Sequence, residues 1–286
     1  MSLCSKIPYN KLNDELKDNI VDCYYKRKDL NFVELSSYLN VSERALSRVL
    51  KEFNINTKRL NRYRLNERYF QRIDSQEKAY LLGLIYADGF VGDHNCNNIV
   101  IGLKDRDMIV KIAKLLEYDG KIRIGNKGSF ENSGYSYILN FSSKEMAMDL
   151  RKLGLYPNKS LTMTDLPSIN EELYRHFIRG YFDGDGSIIL TKKCSYYRTE
   201  SLVKKYEYPC YMFCLLGTRE FLQQISYKLK SSYIRINDTK TEEIKALKIS
   251  AKCEFYKLFQ YLYKDSTIYL DRKYEKWLQI LSAFTK

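Results

Sequence analysis

The feature that most constrains this chain is an internal repeat. From residue 66 to residue 286 one pattern occurs twice: a helix that ends in an acid and a glycine, a hairpin, a helix, another hairpin and a closing helix. The first helix ends Leu84-Ile85-Tyr86-Ala87-Asp88-Gly89, the second Tyr181-Phe182-Asp183-Gly184-Asp185-Gly186, with Asp88 and Asp185 ninety-seven residues apart. Strand-like runs follow at Ile99–Leu103 and Tyr211–Leu215, then helical runs from Asp105 to Leu116 and from Thr218 to Leu229. A recurring unit of this kind buries its apolar face against its own copy. The spacing predicts an α+β fold: two α-β-β-α-β-β-α repeats, 66–165 and 166–286, joined as one pseudo-symmetric domain.

The ends of the two motif helices are chemically unusual. At their starts, Asp74 with Glu77 and Ser168 with Glu171 read as caps and acids that favour a helix N-terminus. Asp88, Asp183 and Asp185 instead fall at C-terminal ends, where the dipole is negative and carbonyls lack partners. Acids gathered there call for a cation, and a divalent metal with hard oxygen ligands answers the need. Gly83 and Gly180 stand five residues before Asp88 and Asp185, each costing about 1 kcal/mol against Ala. Their recurrence predicts two helices packed backbone against backbone.

Ahead of the repeats, residues 1–56 read as a small all-α domain. Leu12, Leu16, Ile20 and Tyr24 mark one helix face. Asn31 with Glu34 suggests a capping box opening a second helix. After a tight connection at Asn40-Val41, Ser42 caps a third helix through Phe53, and Asn54 is suited to end it. Leu46, Val49, Leu50 and Phe53 are expected to face inward, leaving Arg44, Ser47, Arg48 and Lys51 outward. Two helices joined by so short a turn, the second basic outside, read as a helix-turn-helix that contacts DNA. Residues 57–65 form a basic linker with four positive charges.

A net charge of +13 implies a polyanionic partner, most simply nucleic acid. Seven cysteines, with no Cys-x-x-Cys pair, give neither a disulfide framework nor a zinc site. No apolar stretch approaches a membrane span, and no signal-peptide core is visible, so a cytoplasmic protein is expected. Asp183-Gly184-Asp185-Gly186 is no calcium loop, because Ile188 and Cys194 stand where glycine and glutamate are needed. Only His94 and His176 are present, which argues against clustered-histidine nucleases.

Leu81-Leu82-Gly83-Leu84-Ile85-Tyr86-Ala87-Asp88-Gly89 and Ile178-Arg179-Gly180-Tyr181-Phe182-Asp183-Gly184-Asp185-Gly186 resemble the two signatures of the LAGLIDADG homing endonucleases. Tyr86 replaces the first acid, and Arg179, where a small residue is usual, is expected at the helix edge. The resemblance implies that Asp88 and Asp185 bind catalytic Mg²⁺ or another divalent cation such as Mn²⁺, with the carbonyls of Ala87 and Gly184 nearby. It also implies a late basic residue in each repeat, for which Lys159 and Lys273 are the nearest matches. Antiparallel sheets would lie on double-stranded DNA, with Lys104, Arg123, Lys192, Lys193 and Arg198 on or beside them, and one chain would act as a monomer. The activity implied is a metal-dependent double-strand break at a long target site. A non-cleaving DNA- or RNA-binding protein on the same scaffold is the alternative.

Overall fold

The computed structural model describes residues 6–27, 30, 32–55, 63–93, 95–125, 134–199 and 203–284. The chain divides into two compact units, Met1–Arg64 and Leu65–Lys286.

In the first unit, α1 (Asp14–Lys26), α2 (Phe32–Tyr38) and α3 (Glu43–Glu52) close over Ile20, Leu35, Val41, Ala45, Leu46, Val49 and Leu50. Asn13 accepts the Leu16 N–H and Ser42 the Ala45 N–H, side-chain caps that each contribute about 1 kcal/mol. Asn40, at φ +52°, makes the turn between α2 and α3, and Asn54, at the same angle, follows α3. Phe53 departs from its expected inward position and is 42% exposed. Helix α3 has already ended, and Ile55, beyond the turn, packs on the core instead. Asn31, and residues 57–62 of the basic linker, lie outside the described residues.

The second unit repeats one arrangement twice. Helix α4 (Gln76–Asp88) leads into β1 (Gly89–Val91), β2 (Asn98–Leu103), α5 (Arg106–Leu115), β3 (Arg123–Ile124), β4 (Tyr137–Ser142) and α6 (Lys144–Lys152). A short helix α7 (Lys159–Thr162) follows. Helix α8 (Tyr174–Asp185) leads into β5 (Ser187–Arg198), β6 (Val203–Gly217), α9 (Arg219–Leu229), β7 (Arg235–Asp238), β8 (Lys245–Ile249) and α10 (Lys252–Tyr263). Helix α11 (Asp271–Ser282) is an addition the sequence pattern did not contain. Both sheets are antiparallel with the same strand order, β1-β2-β4-β3 and β5-β6-β8-β7.

Helices α4 and α8 pack on each other along the middle of this unit. Every residue of α4 from Ala79 to Ala87 is buried, and so is α8 from His176 to Asp183. A helix apolar all round belongs inside, and the two glycines explain how closely the pair approaches. A Cβ on Gly83 would lie 2.0 Å from the Phe177 carbonyl oxygen, and one on Gly180 would lie 1.9 Å from that of Tyr80. The expected caps shift: Ser75 rather than Asp74 caps α4, Asp74 pairing with Lys78 at 2.8 Å. Helix α8 starts at Tyr174 after a 3-10 turn at Glu171–Leu173, with no side-chain cap, so Ser168 plays no such part. Its first residues are held by side chains instead, Tyr174 donating to the Pro167 carbonyl at 3.0 Å and Arg175 to that of Lys264 at 3.2 Å. No helix among the described residues is long and apolar enough to cross a membrane.

Candidate functional site

Both motif helices stop at an acid, and each sheet begins within two residues of it: β1 at Gly89, β5 at Ser187. The α4–α8 packing therefore brings the two helix ends together. A Cβ on Gly184 would touch the Ala87 Cβ at 2.3 Å and the Asp88 Oδ2 at 3.1 Å, which places the Asp88 carboxylate against the residue preceding Asp185. Loss of hydration among the packed helix ends raises both carboxyls. For Asp185 that crowding comes first and the Asp88 charge second, lifting it to about 6. Both residues still open onto solvent, and water moderates the penalty.

Lys159 and Lys273 meet at this point. Each is only 6% exposed. Lys159 Nζ donates to the Gly89 carbonyl, one residue past Asp88. Lys273 Nζ donates to the carbonyls of Phe182, of Gly186 at 2.7 Å and of Gly184 at 3.4 Å. The ammonium groups thus satisfy carbonyls at helix ends where positive charge is favourable. Part of the cation the acids call for is supplied by these lysines. Burial lowers both ammonium groups from their ordinary value, Lys273 to about 8; the charges of Asp185 and Asp88 oppose the change at Lys159, and at Lys273 that of Asp183 opposes it first, then those of Asp88 and Asp185.

Asp183 does not join the pair. It is fully buried, its Oδ2 accepting from the Tyr80 hydroxyl and the Leu270 amide, both at 2.8 Å, and its Oδ1 from the Tyr263 hydroxyl at 3.4 Å. Arg179 also corrects expectation, being fully buried rather than at the helix edge. Its Nε donates to the Ile268 carbonyl at 3.0 Å and one terminal nitrogen to the Leu262 carbonyl at 2.6 Å. The same nitrogen lies 2.7 Å from His176 Nδ1, and the other has no hydrogen-bond partner among the described residues. Burial first, then the Arg179 charge, depress His176 to about 3, which leaves it a neutral packing residue.

The sheets separate the basic residues by face. Ile188 and Phe213 pair and are both buried, so the partners Lys192–Pro209 and Arg198–Val203 share the helix-side face. Lys193, opposite Tyr208, lies on the open face with Tyr197–Lys204 and the row Ser187–Cys214–Lys248–Arg235. Beyond Leu190 the β5–β6 ribbon is exposed on both faces, so Lys192 and Arg198 still meet solvent. Arg123 pairs with Ile138, itself opposite Gly102, on the first sheet's open face, and Lys104 follows the end of β2. Lys204, Arg235 and Lys248 were missed, although strand alternation from Phe213 would have found them. In the first unit Arg44, Ser47, Arg48 and Lys51 are exposed, but the Arg48 guanidinium lies 4.4 Å from the Tyr9 ring centre.

Asp185 gives a pH test. An acid whose folded value, about 6, exceeds its unfolded 3.8 favours the fold when protonated. That contribution is complete below about pH 4 and is lost as pH rises through about 6. Without added metal, Asp185→Asn should therefore melt a few degrees above wild type at pH 7.5. The difference should vanish near pH 4, as melting curves across a pH series would show; a constant offset would contradict the shift.

Residues 172–262 match the family model described as a LAGLIDADG-like domain, a match that lies in the second repeat. A curated relative, an uncharacterized protein of Methanocaldococcus jannaschii, is 26% identical over 158 residues, 53% of this chain and 57% of the relative. The chain thus spans little more than half the length of the curated relative it matches. Among solved structures, the I-LtrWI LAGLIDADG homing endonuclease bound to target DNA aligns at a TM-score of 0.49 and 14% identity, over 77% of this chain and 92% of that one. The I-SmaMI LAGLIDADG homing endonuclease bound to cleaved DNA aligns at 0.46 and 13%, over 74% and 89%.

Proposed function

We propose that this chain is a site-specific endonuclease that breaks both strands of a long double-stranded DNA target, acting as a monomer through two LAGLIDADG-type motifs. The observation that carries the reading is the meeting of Asp88, Asp185, Lys159 and Lys273 where two backbone-packed helices end and two sheets begin. One chain supplies both acids, so no second copy is needed.

The donors fit Mg²⁺ or Mn²⁺: two carboxylates whose crowding favours a bound cation, to which the carbonyls of Ala87 and Gly184 would add hard oxygens. Among the described residues no group of three or more His, Cys, Asp or Glu gathers, so phosphate oxygens and water would complete the coordination. When bound, the cation supplies Lewis-acid stabilisation of charge on the attacking and leaving oxygens. Asp88 and Asp185 hold it at the helix ends. Lys159 and Lys273, fixed by carbonyls, set two positive charges where charge grows on the scissile phosphates. Lys193, Arg123, Lys104, Arg235 and Lys248 contact the duplex from the open faces, and Lys192 and Arg198 reach it from the ribbon. A two-stranded ribbon exposed on both faces suits the major groove.

Incubation with long double-stranded DNA tests this. Discrete fragments are expected with Mg²⁺ and none with a chelator. Tight binding with no breaks in any divalent metal would favour the second reading, a non-cleaving DNA- or RNA-binding protein. That reading draws on one observation: the lysines already neutralise the helix ends.

The first unit, 1–64, adds a helix-turn-helix contact through Arg44, Ser47 and Lys51, with Arg48 held on Tyr9. Deleting it removes 13 basic and 8 acidic residues, a net loss of five positive charges. The affinity of the remaining unit for its target should fall and its dependence on salt become shallower. Binding isotherms over a salt series check this, and superimposable series would assign the unit another role.

A further inference from the structure

The residue two before each motif acid touches the segment that carries the late lysine of its own repeat. Tyr86 precedes Asp88, and its hydroxyl donates to the Leu153 carbonyl. Leu153 ends α6, six residues before Lys159. The approach is close enough to demand glycine next in the chain: Gly154 has φ +93°, and a Cβ on it would lie 2.5 Å from the Tyr86 oxygen. Asp183 precedes Asp185, and its carboxylate accepts the amide of Leu270, the residue just before α11 and three before Lys273.

The two chemistries follow from the helix ends they meet. The last turn of a helix leaves carbonyls without partners and needs a donor; the first turn leaves amides and needs an acceptor, preferably negative. Tyr86 meets a C-terminus and donates. Asp183 meets an N-terminus and accepts. Leu270 has no side chain that caps α11, so the carboxylate from α8 does that work. We infer that Tyr86 and Asp183 are matched positioning residues: each fixes the backbone that delivers one lysine, Lys159 or Lys273, to the joined helix ends. The departure of Tyr86 from the acidic signature then has a cause, since a carboxylate there would face the Leu153 carbonyl. The inference rests on the proposed nuclease reading only for what the lysines do, not for how they are held.

Two measurements separate those parts. The first is acylation of lysine amines by isotope-coded acetic anhydride, read peptide by peptide in the full chain without DNA. Tyr86→Phe should raise labelling of Lys159 about tenfold and leave Lys273 unchanged; Asp183→Asn should do the reverse. No rise, or both lysines rising together in one variant, would overturn the inference, the second outcome showing general loosening. Should Asp183→Asn not fold, Tyr86→Phe, which removes one oxygen, decides by the same readout. The second measurement follows strand-labelled target DNA. Tyr86→Phe should slow the cutting of one strand and Asp183→Asn the other, each about 10- to 100-fold with unchanged DNA affinity, the size typical of residues that orient a reacting group's ligands. Equal slowing of both strands by each variant would again overturn the inference. Wild-type protein that cuts nothing while the labelling pattern appears would sink the nuclease reading and leave the positioning assignment standing.

Discussion

Replacing Asp88 or Asp185 by Asn should lower double-strand cleavage by a factor on the order of 10³ and leave DNA affinity within about tenfold. An amide keeps the size of the side chain and removes the charge that holds a divalent cation, whose stabilisation of the transition state amounts to several kcal/mol. Among the described residues no third acid joins Asp88 and Asp185 in a group that could hold a metal, Asp183 being engaged elsewhere, so no neighbour takes over. Affinity is expected to survive because the proposed contacts with the duplex lie on the open sheet faces and the β5–β6 ribbon, and not on the two acids. Steady-state cleavage and equilibrium binding on the same target give both numbers. An Asn variant that cuts at the wild-type rate would remove the metal assignment for that residue.

The largest effect on stability should come from the motif glycines. Gly83→Ala sets a methyl carbon 2.0 Å from the Phe177 carbonyl oxygen, and Gly180→Ala sets one 1.9 Å from that of Tyr80. Both obstacles are backbone inside a buried helix, so neither can rotate away, and the helices must separate. The cost should be about 3 kcal/mol or more, beyond ordinary overpacking, even though Ala is the better helix former by about 1 kcal/mol. Gly134→Ala is the control: a Cβ there meets nothing within 4 Å among the described residues, and the change should stay within about 0.5 kcal/mol. Denaturant unfolding of the Leu65–Lys286 unit checks both. A neutral Gly83→Ala would mean that the α4–α8 contact is looser than described.

What the sequence reveals, and what it hides, follows from the range of the interactions. The repeat, its element order and the helix pairing were legible because each leaves a local mark: apolar periodicity, glycine at one position in both copies, an acid at a helix C-terminus. Face assignments in the sheets were legible in principle, since Lys192 and Lys193 must point oppositely, but they needed one buried pair, Ile188–Phe213, as an anchor. Lys159 and Lys273 entered through family resemblance. Nothing in their neighbourhoods announces that their amines would end buried against helix carbonyls. Asp183 was read with the metal acids on position alone, and only its bond to Leu270, 87 residues away, shows its different duty. Arg179 was misjudged for the same reason: its acceptors, the carbonyls of Leu262 and Ile268, lie 83 and 89 residues on. A buried charge becomes tolerable only with partners of that kind, and no window of sequence displays them.

The most direct test of the central claim is a selection for cut ends from a random double-stranded DNA library, with both strands mapped by sequencing. Mg²⁺-dependent breaks are expected on both strands at a fixed offset, inside one asymmetric consensus, because two unlike repeats of a single chain are proposed to face the duplex. The same library treated with Asp88→Asn should return no enriched ends. Recovery of bound sequences with no breaks above background, or of breaks scattered without a consensus, would contradict the claim.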